Sequence, residues 1–170
     1  KGALDPSREE FLFLSIKEML VEFAEQAPKS DGATSGLPLP GRVFCLPASD
    51  EADEITAAML AQLLEQAGYA AIAFSLDPSL QHAVGLMDPA ANDIFCISSL
   101  PPFAFSRART LSRQLRSRFP GTKMLVGVWG FPGDTERAVQ RFQPSPPDRL
   151  VTSLADAVQF VADANPVVQE

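Results

Sequence analysis

The chain has 170 residues, 46% hydrophobic, 21% charged and 8% aromatic, enough for one domain of ordinary size with a real apolar core. The mixture is too apolar for a chain disordered throughout. Its 21 acids against 14 bases leave a net charge of −7, which disfavours a general nucleic-acid binder.

No run of about 18 apolar residues is present to span a membrane. Glu9 and Glu10 stand where the apolar stretch of a signal peptide would lie. The first predicted element is a helix running to about Gln26. Asp5 suits its cap, Pro6 its first turn, and Ser7-x-x-Glu10 a capping box. Leu12, Ile16, Met19, Leu20 and Phe23 recur at helical spacing. Phe11, Phe13 and Leu14 widen the apolar surface beyond one stripe, so the helix is expected to meet more than one neighbour. Residues 28–41 are dominated by Gly, Ser, Pro and Thr and read as a linker. The expected division is an N-terminal helix in 1–27, a linker in 28–41 and a folded domain in 42–170.

After Gly41 strands and helices alternate. Arg42–Leu46 is a strand ended by Pro47. Glu54–Ala67 is a helix with Ile55, Met59, Leu60, Leu63 and Leu64 inward, stopped by Gly68. Ala70–Phe74 reads as a strand, Ser79–Met87 as a weak helix, and Asp93–Ser98 as a strand. Ser106–Phe119 is a helix, Lys123–Val128 a strand, Thr135–Phe142 a helix, Arg149–Thr152 a short strand and Ser153–Ala164 a last helix. Such alternation means βαβ units on a parallel sheet. The fold class expected is α/β: a flavodoxin-like three-layer sandwich with a five-stranded parallel sheet, order 2-1-3-4-5, plus the N-terminal helix. Cys45 and Cys96 sit inside apolar runs, away from any CxxC or Cys/His cluster, and read as buried free thiols.

In this architecture ligands bind at the carboxyl ends of the strands, at the switch point between the first and third. Pro47–Asp53, Ser98–Phe103 and Gly127–Gly133 build that edge. The first loop carries Asp50, Glu51, Asp53 and Glu54 and has no glycine, so it is no phosphate cradle. Its acids suit the first turn of a helix, with Ser49 or Asp50 as cap; a ligand contact or a divalent cation is the alternative. Ser98 and Ser99 either cap a turn or bond a ligand. Trp129 and Phe131, among three glycines, either form an aromatic lid or pack across the edge. The ligand-binding candidates are Asp50, Glu51, Asp53, Ser98, Ser99 and Trp129. With no base in the three loops, the expected ligand is neutral or cationic. No cofactor or resident metal is expected. His82, the single histidine, lacks partners at ligand spacing.

The helix at Ser106–Phe119 holds Arg107, Arg109, Arg113, Arg116 and Arg118 around a stripe of Ala108, Leu111, Leu115 and Phe119. The stems can cover apolar surface with wet heads. Alternatively Arg109, Arg113 and Arg116 dock on anionic lipid or an acidic partner as a weak contact that adds little to stability.

The stretch from Arg42 to Gly130 resembles cobalamin-binding domains, which carry D-x-H-x-x-G, S-x-L and G-G motifs after strands one, three and four. These fall on Glu51-x-Asp53-x-x-Thr56, Ser98-Ser99-Leu100 and Gly127-Val128-Trp129-Gly130. Asp53 stands where the cobalt-ligating histidine would be. The resemblance therefore implies the fold, with corrinoid binding only in a non-histidine mode.

A second resemblance spans nearly the whole chain. Lys1–Asp5 with Ser15–Met19, Val43–Ile55, Met59–Tyr69 and Cys96–Ala104 are similar to the cytosolic C-terminal extension of some bacterial AI-2E (PerM-type) permeases. That implies the soluble tail of a membrane transporter, at the cytoplasmic face of the inner membrane; the reading ranked first is a non-catalytic regulatory or ligand-sensing domain attached to it. The implied partner is the membrane portion of its own chain; a small molecule at the strand edge, anionic lipid and a second copy are the other expected partners. A corrinoid-binding domain ranks second. An enzyme ranks third, since the sequence shows no G-x-S-x-G, P-loop or Gly-rich dinucleotide turn.

Overall fold

A computed structural model describes residues 5–26, 41–76 and 79–166. All but the last residue of the expected linker lies outside them. In chain order the elements are α1 Pro6–Gln26, β1 Val43–Pro47, α2 Glu51–Gln66, β2 Ala71–Ala73, α3 Ser79–Leu86 and β3 Ile94–Ser99. These are followed by α4 Ala104–Arg118, β4 Lys123–Val128, α5 Thr135–Val139, a 3-10 turn at Gln140–Phe142, β5 Arg149–Val151 and α6 Leu154–Ala164. The five strands form one sheet in the order β2-β1-β3-β4-β5, every pair parallel. This is the flavodoxin-like three-layer arrangement.

The central strands are apolar without alternation because both faces are covered. Val43, Cys45, Ile94, Cys96 and Leu125 point towards α2 and α6. Phe44, Leu46, Phe95, Ile97, Met124 and Val126 point towards α3, α4 and α5. The register sets Cys45 beside Cys96, and carries Pro47, Ser98 and Gly127 in a row across the carboxyl edge. Both thiols are free and buried. Burial pushes Cys45 up to about 12 and Cys96 well above its ordinary value, so neither thiolate forms at neutral pH.

Several boundaries differ from expectation for local reasons. α2 starts at Glu51 because Asp50 accepts from the Asp53 N–H at 3.1 Å while the Asp53 carboxylate accepts from the Asp50 N–H at 3.4 Å, a reciprocal capping box. Leu63 faces solvent, so the inward face of α2 is Ile55, Leu60 and Leu64. Gly68, at φ +90°, ends the helix as expected. The helix expected over 135–142 tightens to a 3-10 turn after Val139, just before Gln143-Pro144.

Asp93 clamps the opposite edge of the sheet. Its buried carboxylate accepts from the Arg42 N–H at 2.7 Å, the Ala90 N–H at 2.8 Å and the Arg42 guanidinium at 2.6 Å. Burial alone would push this carboxyl up. The Arg42 and Ala90 bonds outweigh it and hold the group below the usual range.

Candidate functional site

The carboxyl edge of the sheet brings the sequence candidates together, but in roles that turn inward. Asp53 sits in the first turn of α2 with its side chain fully buried. One oxygen accepts from the Leu100 N–H at 2.7 Å, tying α2 to the end of β3. Burial pushes its carboxyl up to about 6, with the neighbouring Asp50 charge adding to the rise and the backbone N–H groups of Leu100, Asp50 and Ser49 holding it back.

The other three acids are paired. Asp50 takes the Arg107 guanidinium from the first turn of α4. Glu51 lies 2.7 Å from Lys17 of α1. Glu54 lies 3.8 Å from the same lysine and accepts from the Leu76 N–H at 2.9 Å. The loop is therefore not an uncompensated acidic pocket. The expectation of a neutral or cationic ligand rested on the absence of bases from three loops; Arg107 and Lys17 reach in from helices and pair those acids.

Ser98 and Ser99 are fully buried and point to opposite faces of the sheet. Ser99 Oγ donates to the Ala104 carbonyl at 3.1 Å, stitching β3 to α4, so it serves the turn. Ser98 Oγ has no hydrogen-bond partner among the described residues. Trp129 lies over Gly127 on the α2/α6 side: a Cβ built on Gly127 would be 2.2 Å from the indole. Its backbone N–H bonds the Ser99 carbonyl at 3.1 Å, and the chain turns away at Gly130 with φ +70°. The indole is buried and its Nε1 is also without a partner among the described residues. Trp129 is thus a plug seated on a glycine, not a lid over an open slot. Phe131 packs edge-on against Phe105 at 4.9 Å, on the other side of the sheet.

An open cleft of about 350 Å³ does occur beside this edge. Ala48, Ser49 and Leu80 line one side, and Ser106, Arg107 and Thr110 the other. Sequence reasoning missed it. Ser106 and Thr110 are four residues apart on one face of α4, but that spacing reads as ordinary helix surface. Ser106 Oγ donates to the Phe103 carbonyl and Thr110 Oγ1 to the Ser106 carbonyl, leaving their lone pairs as acceptors. His82 is exposed on α3, apart from this constellation. Among the described residues no group of three or more His, Cys, Asp or Glu is placed to hold a metal ion.

The arginines of α4 are engaged within the molecule. Arg109 donates to the Arg141 carbonyl at 3.4 Å and Arg113 to the Gln143 carbonyl at 3.2 Å. Arg116 donates to the Thr122 carbonyl and bonds Asp148 at 2.9 Å; Asp148 in turn accepts from the Met124 N–H at the start of β4. Arg116 is thus a structural tie, where a weak surface contact was expected. Arg116→Gln is expected to cost about 1–2 kcal/mol in urea unfolding, whereas Arg109→Gln and Arg113→Gln stay within about 0.5 kcal/mol.

No protein-family model matches the chain, and a search of curated proteins found no match.

Proposed function

We propose that this chain is a non-catalytic, ligand-sensing regulatory domain, the soluble cytosolic extension of a bacterial AI-2E-type permease. The observation that carries the sensing reading is the plug. Two buried polar atoms, Ser98 Oγ and Trp129 Nε1, have no partner among the described residues at the edge where parallel α/β sheets take ligands. Each unsatisfied group costs about 1–3 kcal/mol. A molecule that moved Trp129 and bonded Ser98 would recover part of that cost, so occupancy can be coupled to a change of conformation. Since the surrounding acids are paired, the ligand this edge suits is neutral. The attachment to a permease rests on the sequence resemblance, and the described residues contain no helix long and apolar enough to cross a membrane.

The corrinoid alternative draws no support from the site. Asp53 is buried and committed to Leu100, so it presents no ligand to a metal above the edge, and Trp129 fills the space beside Gly127.

Two measurements test the proposal. An antibody to this domain is expected to find the native protein in the inner-membrane pellet, protease-resistant in spheroplasts and cleaved in inside-out vesicles; recovery as a free soluble protein would overturn the permease reading. In a thermal-shift screen of small neutral compounds, a true ligand is expected to raise the melting temperature and red-shift Trp129 emission together. Stabilisation without any change in emission would place sensing elsewhere.

A further inference from the structure

α1 has 21 residues, about 30 Å at 1.5 Å per residue, and none of them is buried. It is held to α2 by Lys17 on Glu51 and by the Gln62 side chain donating to the Leu20 carbonyl at 2.7 Å. Leu12, Met19 and Phe23 nevertheless remain 43%, 48% and 61% exposed. Single exposed hydrophobics are ordinary, but a row of them along one helix marks a contact surface. Leu12, Ile16, Met19 and Phe23 are spaced four, three and four residues apart, the heptad rhythm of a helix–helix seam. The seam runs beside the face on which Leu20 and Ala24 line a cleft of about 640 Å³ against α2.

We propose that this seam is a homodimer interface, covered by α1 of a second copy of the chain running antiparallel. Charge selects the occupant. α1 carries five glutamates against Arg8 and Lys17, so an anionic bilayer would repel it. A parallel pair would bring Glu9, the seam position before Leu12, alongside its own copy. In the antiparallel pair Leu12 meets Phe23 of the second copy and Ile16 meets Met19. Ser15 then lies by Glu22 and Arg8 by Gln26, so no like charges face one another. The arrangement is self-complementary and closes as a two-fold dimer. Taking a whole large side chain as roughly 200 Å², the exposed parts of the seam supply roughly 300–400 Å² per copy. With its polar rim the interface reaches on the order of 1,000 Å² in total, the class of weak, reversible complexes.

Sedimentation equilibrium is therefore expected to show monomer at about 5 µM and a growing dimer fraction towards about 500 µM. The pair Leu12→Glu/Phe23→Glu is expected to stay monomeric with an unchanged far-UV spectrum, since neither side chain is buried. The pair Ser15→Cys/Glu22→Cys is expected to form an intermolecular disulfide under mild oxidation, while Ser15→Cys alone does not. A wild type that stays monomeric throughout, a dimer that survives Leu12→Glu/Phe23→Glu, or cross-linking by Ser15→Cys alone would each overturn the proposal. So would a monomer that co-sediments with phosphatidylglycerol vesicles, which would give the seam to a bilayer.

Discussion

Gly127→Ala is expected to lower stability by about 3 kcal/mol and to shift the emission of Trp129, the chain's single tryptophan, to longer wavelength. The added methyl would lie 2.2 Å from two carbons of the indole, far inside contact distance. Gly127 is held in register between Ser98 and Val151 in the sheet, so the backbone cannot yield and the ring must. Losing the burial of an aromatic side chain costs about 3–5 kcal/mol when it is deleted, and overpacking alone about 1–3 kcal/mol. The double variant Gly127→Ala/Trp129→Ala removes the clash and keeps only the loss of packing. It is expected to be less destabilised than the two single changes summed, because the two side chains compete for one space. A Gly127→Ala protein with native stability and native emission would show that the ring does not occupy this seat.

The sheet order was legible because its signals are local. Val43–Leu46, Ile94–Ile97 and Met124–Val126 are continuous apolar runs separated by helical periodicity, and that pattern admits few topologies. What the sequence concealed was pairing at long range. Arg107 reads as one of five arginines flanking a helix stripe, yet it reaches Asp50, 57 residues away. Asp93 reads as the first residue of a strand, yet it gathers Arg42 from 51 residues away. The candidate site shows the same division. Asp53, Ser98, Ser99 and Trp129 do converge on one edge, as the topology requires. Their inward orientation depends on which face of the strand each occupies and on the space above Gly127, and neither is written in residue spacing. The seam on α1 was visible as an apolar surface too wide for one neighbour, and α2 covers only part of it.

Asp53→Asn is expected to stabilise the protein by about 1–2 kcal/mol at pH 7.5 and to lose that advantage near pH 4. The folded carboxyl titrates at about 6 against an ordinary value of 3.8, because burial disfavours its charge. Below about pH 4 the group is protonated whether the chain is folded or not, and burial costs nothing. Between about pH 4 and 6 the unfolded chain releases this proton while the folded chain keeps it, so this group's contribution to stability falls as pH rises. Above about pH 6 the cost is complete, up to about 3 kcal/mol at 1.36 kcal/mol per pH unit. Asparagine keeps an oxygen for the Leu100 N–H, which binds at 2.7 Å, and carries no charge. It gives up the 3.4 Å acceptor for the Asp50 N–H, a capping contact worth about 1 kcal/mol, which sets the smaller net gain. Asp93 works in the opposite sense: its carboxyl is held below the usual range, so its stabilisation is lost as pH falls. The informative quantity is therefore the difference between variant and wild type in urea unfolding at about pH 4, 5, 6 and 7.5, in which Asp93 cancels. A difference that stays constant across that range would mean that Asp53 titrates at its ordinary value, and that the carboxylate at the head of α2 is solvated or charge-paired instead of buried.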